Sequence, residues 1–258
     1  MPTRATPPHG APCWVDLTTT DVERSRDFYG RLFGWSADEP QEQYGGYFTF
    51  RRDDVPVAGC MASRGQGPDH WSVYLATDDA AATHASALAA GGHSLTDAMT
   101  VGELGTMALL TDPTGATVGL WQADQFQGIT VLAEQGAPSW FELSTPEYEP
   151  ALDFYRKVFG WQTRVVSDKA EFLYSTANDG DDQLAGVMAA PGSPPLWSVF
   201  FGVADADAAL ATIVELGGAV TIAPLDTPYG RLAAAADATG ATFKLVAPND
   251  AMPASPQT

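Results

Sequence analysis

The sequence predicts an α+β fold in two tandem domains, and two observations carry that prediction. The stretch from Trp14 to Trp35 returns as the stretch from Trp140 to Trp161, an offset of 126 positions (140 minus 14). Each copy is followed by a second strand–helix–strands unit of the same plan. A period this long marks a duplicated domain, because solenoid repeats recur every 20 to 50 residues or so. Trp14 matches Trp140, Asp16 matches Glu142, Asp27-Phe28-Tyr29 matches Asp153-Phe154-Tyr155, and Phe33-Gly34-Trp35 matches Phe159-Gly160-Trp161.

The elements follow in order. Cys13 to Thr18 reads as a strand with Trp14, Asp16 and Thr18 on one face and Cys13, Val15 and Leu17 on the other. Thr20-Asp21 caps a helix carrying Glu23 in its first turn. Val22, Phe28, Tyr29, Leu32 and Phe33 stand at helical spacing, and Gly34 ends the helix. Tyr47 to Phe50 and Val57 to Ala62 are strand-like, and Arg64 to Asp69 is a loop. A second unit starts at His70 to Thr77, with Asp78-Asp79 capping an Ala-rich helix that stops at Gly91-Gly92. Strands from Met107 to Thr111 and from Thr117 to Gln122 flank the turn Asp112-Pro113-Thr114-Gly115. The second half repeats this order through Trp197 to Phe201, a helix around Leu210, Ile213 and Val214, the stop Gly217-Gly218, the turn Asp237 to Gly240, and a last strand from Thr242 to Val246. The expected organisation is a loose arm at 1–11, a first domain at 12–124, a linker at 125–137, a second domain at 138–248 and a tail at 249–258.

Composition narrows the function. Hydrophobic residues make up 45% of the chain, enough for two globular cores, and no apolar run is long enough to span a bilayer. The polar, Pro-rich N-terminus lacks the apolar segment of a secretion signal. Cys13 and Cys60 make no disulfide framework, so a reduced cytoplasm is the expected compartment. A formal net charge of −19 repels nucleic acid and anionic lipid, and it favours a neutral or cationic ligand.

Each half resembles a domain of the vicinal oxygen chelate family, which includes glyoxalase I, extradiol dioxygenases and bleomycin-resistance proteins. The residues that carry the likeness are the first strand with Asp21, Asp27-Phe28-Tyr29, Phe33-Gly34-Trp35, the Gly91-Gly92 stop and Asp112-Pro113-Thr114-Gly115, with their counterparts in the second half. The resemblance implies paired βαβββ modules, with mixed sheets curling around a cavity in each domain. It also implies a divalent metal there, held by His or Gln on the first strand, His on the first strand of the second module, and Glu on a last strand. Counted from the capping acids and from the Asp of the turn, those positions fall on Trp14, Trp71 and Gly119, and on Trp140, Trp197 and Lys244 in the second half. None is an ordinary metal ligand. His70 adjoins Trp71 and Gln122 lies near the last strand's end, but a one-residue shift turns a side chain to the opposite face. No cofactor is therefore expected, a divalent metal being implied by the resemblance alone.

What remains is a cavity lined by flat aromatics: Trp14, Trp71 and Trp121 in the first half, Trp140, Trp197 and Phe201 in the second. Such walls suit a planar or cationic small molecule. Asp16 or Glu142 is placed to pair with a cation or to act as a general base, and Lys244 to take the opposite role. The same tryptophans also suit plain core filling. Three readings follow: a metal-independent small-molecule-binding protein that sequesters a drug or metabolite; a glyoxalase-type lyase or isomerase, or a dioxygenase-like oxidoreductase; and an interaction protein with filled cavities. One chain supplies what single-domain relatives build as a dimer, so a monomer with internal pseudo-twofold symmetry or a homodimer is expected.

Overall fold

In a computed structural model, the described residues are 6–65 and 67–251. Positions 1–5 of the expected arm and 252–258 of the expected tail lie outside them. The chain builds four βαβββ modules in succession. The first comprises β1 (Pro12–Thr19), α1 (Val22–Phe33), the short β2 (Ser36–Ala37), β3 (Phe48–Arg52) and β4 (Val55–Ala62). The second comprises β5 (His70–Ala76), α2 (Ala80–Ala89), β6 (His93–Val101), β7 (Gly105–Thr111) and β8 (Thr117–Ala123). The third and fourth repeat the plan: β9 (Pro138–Thr145), α3 (Tyr148–Phe159), β10 (Gln162–Lys169), β11 (Phe172–Asp179) and β12 (Asp182–Ala189), then β13 (Leu196–Gly202), α4 (Ala206–Glu215), β14 (Ala219–Thr227), β15 (Gly230–Ala236) and β16 (Thr242–Ala247).

Each half forms one eight-stranded mixed sheet, in the order β2-β3-β4-β1-β5-β8-β7-β6 and β10-β11-β12-β9-β13-β16-β15-β14. The parallel pairs fix the registers that matter below. Asp16 stands opposite Gly59 and Tyr74 opposite Gly119; in the second half Glu142 stands opposite Gly186 and Phe200 opposite Lys244.

Local chemistry accounts for the helices. The Asp21 carboxylate accepts the Arg24 backbone N–H at the start of α1, and Gly34 ends that helix with φ 74°, in the left-handed region that costs glycine nothing. Gly160 does the same for α3. The cap of α2 is Asp79, whose side chain accepts from the Ala82 N–H, and that of α4 is Asp205.

By packing, the residues gather into two compact units, each drawing on both halves of the sequence. Among the described residues, one unit holds 6–15, Ser72–Thr130 and Trp140–Ser198. Its aromatic core is Tyr155 stacked on Trp161 at 4.7 Å, with Trp197 edge-on to Tyr155 at 5.7 Å. The other unit holds the described residues of Asp16–Trp71, Val131–Ser139 and 199–251. There Tyr29 stacks on Trp35 at 5.6 Å, Trp71 lies edge-on to Tyr29, and Phe201 packs against Phe33, Trp35 and Trp71.

Candidate functional site

Each unit contains a buried Trp–Tyr–Asp network. In one, the Trp71 indole N–H donates to the Tyr29 hydroxyl at 3.0 Å, and that hydroxyl donates to the Asp237 carboxylate at 2.8 Å. In the other, Trp197 donates to Tyr155 at 2.8 Å and Tyr155 to Asp112 at 3.0 Å. The second oxygen of each aspartate holds its own turn: Asp112 accepts from the Thr114 N–H and hydroxyl and the Ala116 N–H, and Asp237 from Thr239 and Ala241 in the same way. Burial, then the adjacent carboxylate charge, drives the Tyr29 and Tyr155 hydroxyls well above the usual tyrosine range. Burial also raises Asp112, against the opposing pull of its hydrogen bonds from Thr114, Ala116 and Tyr155. These networks join the Asp-Phe-Tyr motif to the Asp-x-Thr-Gly turn.

The caps change the strand register of the second and fourth modules. Because α2 starts from Asp79, the strand position seven residues before the cap is Ser72, and Trp71 points to the opposite face. Asp205 likewise selects Ser198 over Trp197. Trp71, Trp197 and Phe201 are therefore set into the aromatic cores, each less than 5% exposed. The positions that the resemblance assigns to metal ligands hold Trp14, Ser72 and Gly119 in the first half and Trp140, Ser198 and Lys244 in the second. Neither set offers an imidazole or carboxylate, and among the described residues no three His, Cys, Asp or Glu side chains gather as a metal site. The residues present do not fit the family's divalent ion. His70 contacts its own loop through the Pro68 carbonyl at 2.9 Å, and the Gln122 amide oxygen accepts the Ala80 N–H at the start of α2.

The remaining candidates lie on the opposite strand faces. In the first half the Tyr47 hydroxyl donates to Asp16 at 2.7 Å, directly above Gly59. A Cβ on Gly59 would collide with both the Tyr47 hydroxyl and the Asp16 carboxylate, and one on Gly119 would collide with the Tyr74 ring. Trp14 is 4% exposed: Phe126, just past β8, packs edge-on against it at 4.7 Å, and the Trp121 indole N–H holds the Phe126 carbonyl at 2.9 Å. Lys244 sits over the Phe200 ring at 5.0 Å. Arg231 forms ion pairs with Asp207 and Asp226 on the surface, and Tyr229 is exposed.

The corresponding face of the second half is built differently. Gly186 is flanked across the sheet by Thr176 on β11 and Glu142 on β9. The Tyr174 hydroxyl lies over Gly186 and accepts the Trp140 indole N–H at 3.0 Å. Trp140 and Tyr174 are partly exposed, and Tyr174 stacks on the exposed Phe172 at 5.4 Å. The Thr176 hydroxyl donates to the Asn178 side-chain oxygen at 2.9 Å. Two clefts of about 220 Å³ and about 300 Å³ open near β8, the first between His9, Asp78 and Trp121 and the second around Gly105 and Gln122. Tyr47, Phe126, Tyr174, Thr176 and Asn178 escape the sequence analysis. The repeated Tyr47-Phe48-Thr49 and Tyr174-Ser175-Thr176 is the signal that marks the tyrosines and Thr176.

Comparison with known proteins decides the family. Residues 14–120 match a glyoxalase-like domain model, and residues 137–245 match the glyoxalase/bleomycin resistance protein/dioxygenase superfamily model. A Mycobacterium tuberculosis protein provisionally named a glyoxylase, CFP32, is 37% identical over 96% of this chain and 98% of its own length. The chain belongs to the glyoxalase/bleomycin resistance protein/dioxygenase superfamily. Within it, the anthracycline biosynthesis protein DnrV of Streptomyces peucetius is 37% identical over 95% of this chain and 96% of its own. Among solved structures, the Mn(II)-bound glyoxalase of Novosphingobium aromaticivorans superposes with a TM-score of 0.66 at 15% identity, covering 93% of this chain and 82% of that one. That likeness establishes the tandem fold. Among the described residues no helix is long and apolar enough to cross a membrane.

Proposed function

We propose that this protein binds a flat aromatic small molecule without a metal, sequestering or presenting it. One observation carries the reading: where the superfamily's metal-dependent members place their ligands, this chain has Trp14, Ser72 and Gly119, and Trp140, Ser198 and Lys244. Indole, hydroxyl, hydrogen and ammonium side chains do not supply the imidazole and carboxylate donors that such an ion takes. The groups that remain are those of a recognition surface: aromatic faces for stacking, with a buried carboxylate and an amide for orientation. Relatives named for anthracycline biosynthesis support a fused-ring ligand.

Metal analysis of protein purified without chelator, run beside titration of its tryptophan fluorescence with a fused-ring aromatic, tests this reading. The expected result is no stoichiometric metal and saturable quenching. Stoichiometric iron, manganese, nickel or zinc would overturn it in favour of a lyase or oxygenase.

A further inference from the structure

Independently of the ligand proposed above, we infer that residues 6–11 form a detachable strap that gates a cleft in one compact unit. The seat of the strap is built twice. Gly10-Ala11-Pro12 and Gly136-Ala137-Pro138 repeat at the offset of 126 positions (136 minus 10). In one unit the Gly10 N–H donates to the Ala76 carbonyl at 2.8 Å, the Ala76 N–H donates to the Ala11 carbonyl at 2.8 Å, and the Trp161 indole N–H donates to the Gly10 carbonyl at 2.9 Å. In the other, the Gly136 N–H donates to the Gly202 carbonyl at 2.8 Å, the Gly202 N–H to the Ala137 carbonyl at 3.0 Å, and the Trp35 indole N–H to the Gly136 carbonyl at 2.7 Å. Both glycines are left-handed, with φ 75° and 71°. A Cβ on Gly10 would stand 2.9 Å from both the Phe159 Cβ and the Trp161 Nε1, so the seat takes only glycine there.

The two segments are seated alike and anchored unlike. Beside Gly136, the Glu134 carboxylate pairs with Arg52 at 2.7 Å, and both side chains are largely buried. Backbone bonds from the Ala133 N–H to the Pro138 carbonyl and from the Ala137 N–H to the Glu134 carbonyl close a loop around it. Beside Gly10, the counterpart is the contact of His9 with Asp78 at 3.8 Å; Asp78 is 97% exposed, so water screens the pair. Pro7 and Pro8 have no N–H with which to bond onward. Thr6, Pro7 and His9 form one wall of the cleft of about 220 Å³, with Asp78 and Trp121 among the others. At that size the cleft falls below the roughly 300 Å³ at which small-molecule sites begin. When the strap lifts, this wall withdraws, the cleft becomes an open groove, and the Trp161 indole N–H loses its partner. A segment held by so few bonds opens locally, well below the cost of unfolding the unit.

The test is amide hydrogen exchange of the full chain, followed residue by residue by NMR as protection factors. The Ala76 and Gly202 N–H groups donate to equivalent carbonyls and so report the two seats. Protection of Ala76 is expected to be at least about tenfold below that of Gly202, while the amides of β7 and β8 in the same unit stay protected. Gly10→Ala, which cannot seat, should remove the Ala76 protection and leave Gly202 unchanged. Trp161→Phe, which loses the indole N–H, should act in the same direction and serves if the alanine variant does not fold. Equal protection at Ala76 and Gly202 overturns the inference. So does exchange of Ala76 together with β7 and β8, since the strap would then open only as the unit unfolds. Gating has its own readout: Thr77 lines the cleft and is 5% exposed. A soluble nitroxide should broaden the Thr77 methyl signal more in Gly10→Ala than in the wild type, and equal broadening overturns the gate.

Discussion

Tyr29 and Asp237 stand 208 residues apart in the chain and share a 2.8 Å hydrogen bond inside one compact unit, with Trp71 donating to the same hydroxyl. Tyr155 and Asp112 repeat the contact in the other unit. The Asp-Phe-Tyr helix motif and the Asp-x-Thr-Gly turn are thus two ends of one interaction. The tyrosine's own half does not supply its aspartate.

Tyr29→Phe should cost about 1–3 kcal/mol, because it leaves a buried carboxylate oxygen and an indole N–H unpaired. Tyr155→Phe should cost a similar amount. Asp237→Ala should cost more, since it also releases the Thr239 and Ala241 bonds that shape the turn. Urea denaturation followed by circular dichroism reads all three. A cost near zero for Tyr29→Phe would mean that the network is ornamental to the fold.

Alkaline pH should destabilise the protein through the same groups. The unfolded tyrosines lose their protons near pH 10, whereas the folded ones, raised by burial, keep theirs. Above about pH 10 the folded state therefore binds more protons than the unfolded one, and stability falls as pH rises. Burial raises the Cys60 thiol as well, so the decline should begin somewhat lower, and Cys60→Ala should remove that early part. Unfolding free energies measured from pH 8 to 11, in the wild type and in the double variant Tyr29→Phe with Tyr155→Phe, check this. The double variant should show the flatter slope.

Gly59→Ala and Gly186→Ala separate packing from binding. Each adds a methyl where a tyrosine hydroxyl already sits, Tyr47 in one case and Tyr174 in the other. Each should cost about 1–3 kcal/mol by overpacking. Only Gly186→Ala should also reduce uptake of a flat aromatic, because it displaces Tyr174 from Trp140. Thermal melts with and without ligand give both numbers from one experiment.

Much of this architecture can be read in the sequence where local chemistry dictates it. Asp21, Gly34 and the Asp112 turn form as their residue types require. The second and fourth units of the sequence reading lack a strand, because β6 and β14 are outer strands whose largely exposed residues leave no hydrophobic alternation to detect. The Asp78-Asp79 pair hides which aspartate caps α2, and that single-residue choice decides whether Trp71 or Ser72 stands seven residues before the cap. The exchange of aspartates between halves cannot be read at all, since Asp112 and Asp237 sit in near-identical motifs and either would suit either tyrosine. At the candidate site the aromatic positions 14 and 140 are evident. The difference between them rests on Phe126, a residue of the linker with no counterpart in the repeat.

Phe126→Ala should open the first half. Removing the ring strips the edge-on contact from Trp14 at 4.7 Å and part of the cover of Trp121. Fluorescence emission should shift to longer wavelength and acrylamide quenching should rise, with a loss of about 1–3 kcal/mol for a half-buried aromatic. If Phe126 is what covers Trp14, this variant should take up an additional equivalent of a flat aromatic ligand at that indole. An unchanged stoichiometry together with a red-shifted emission would show that uncovering Trp14 is not enough to create a binding surface.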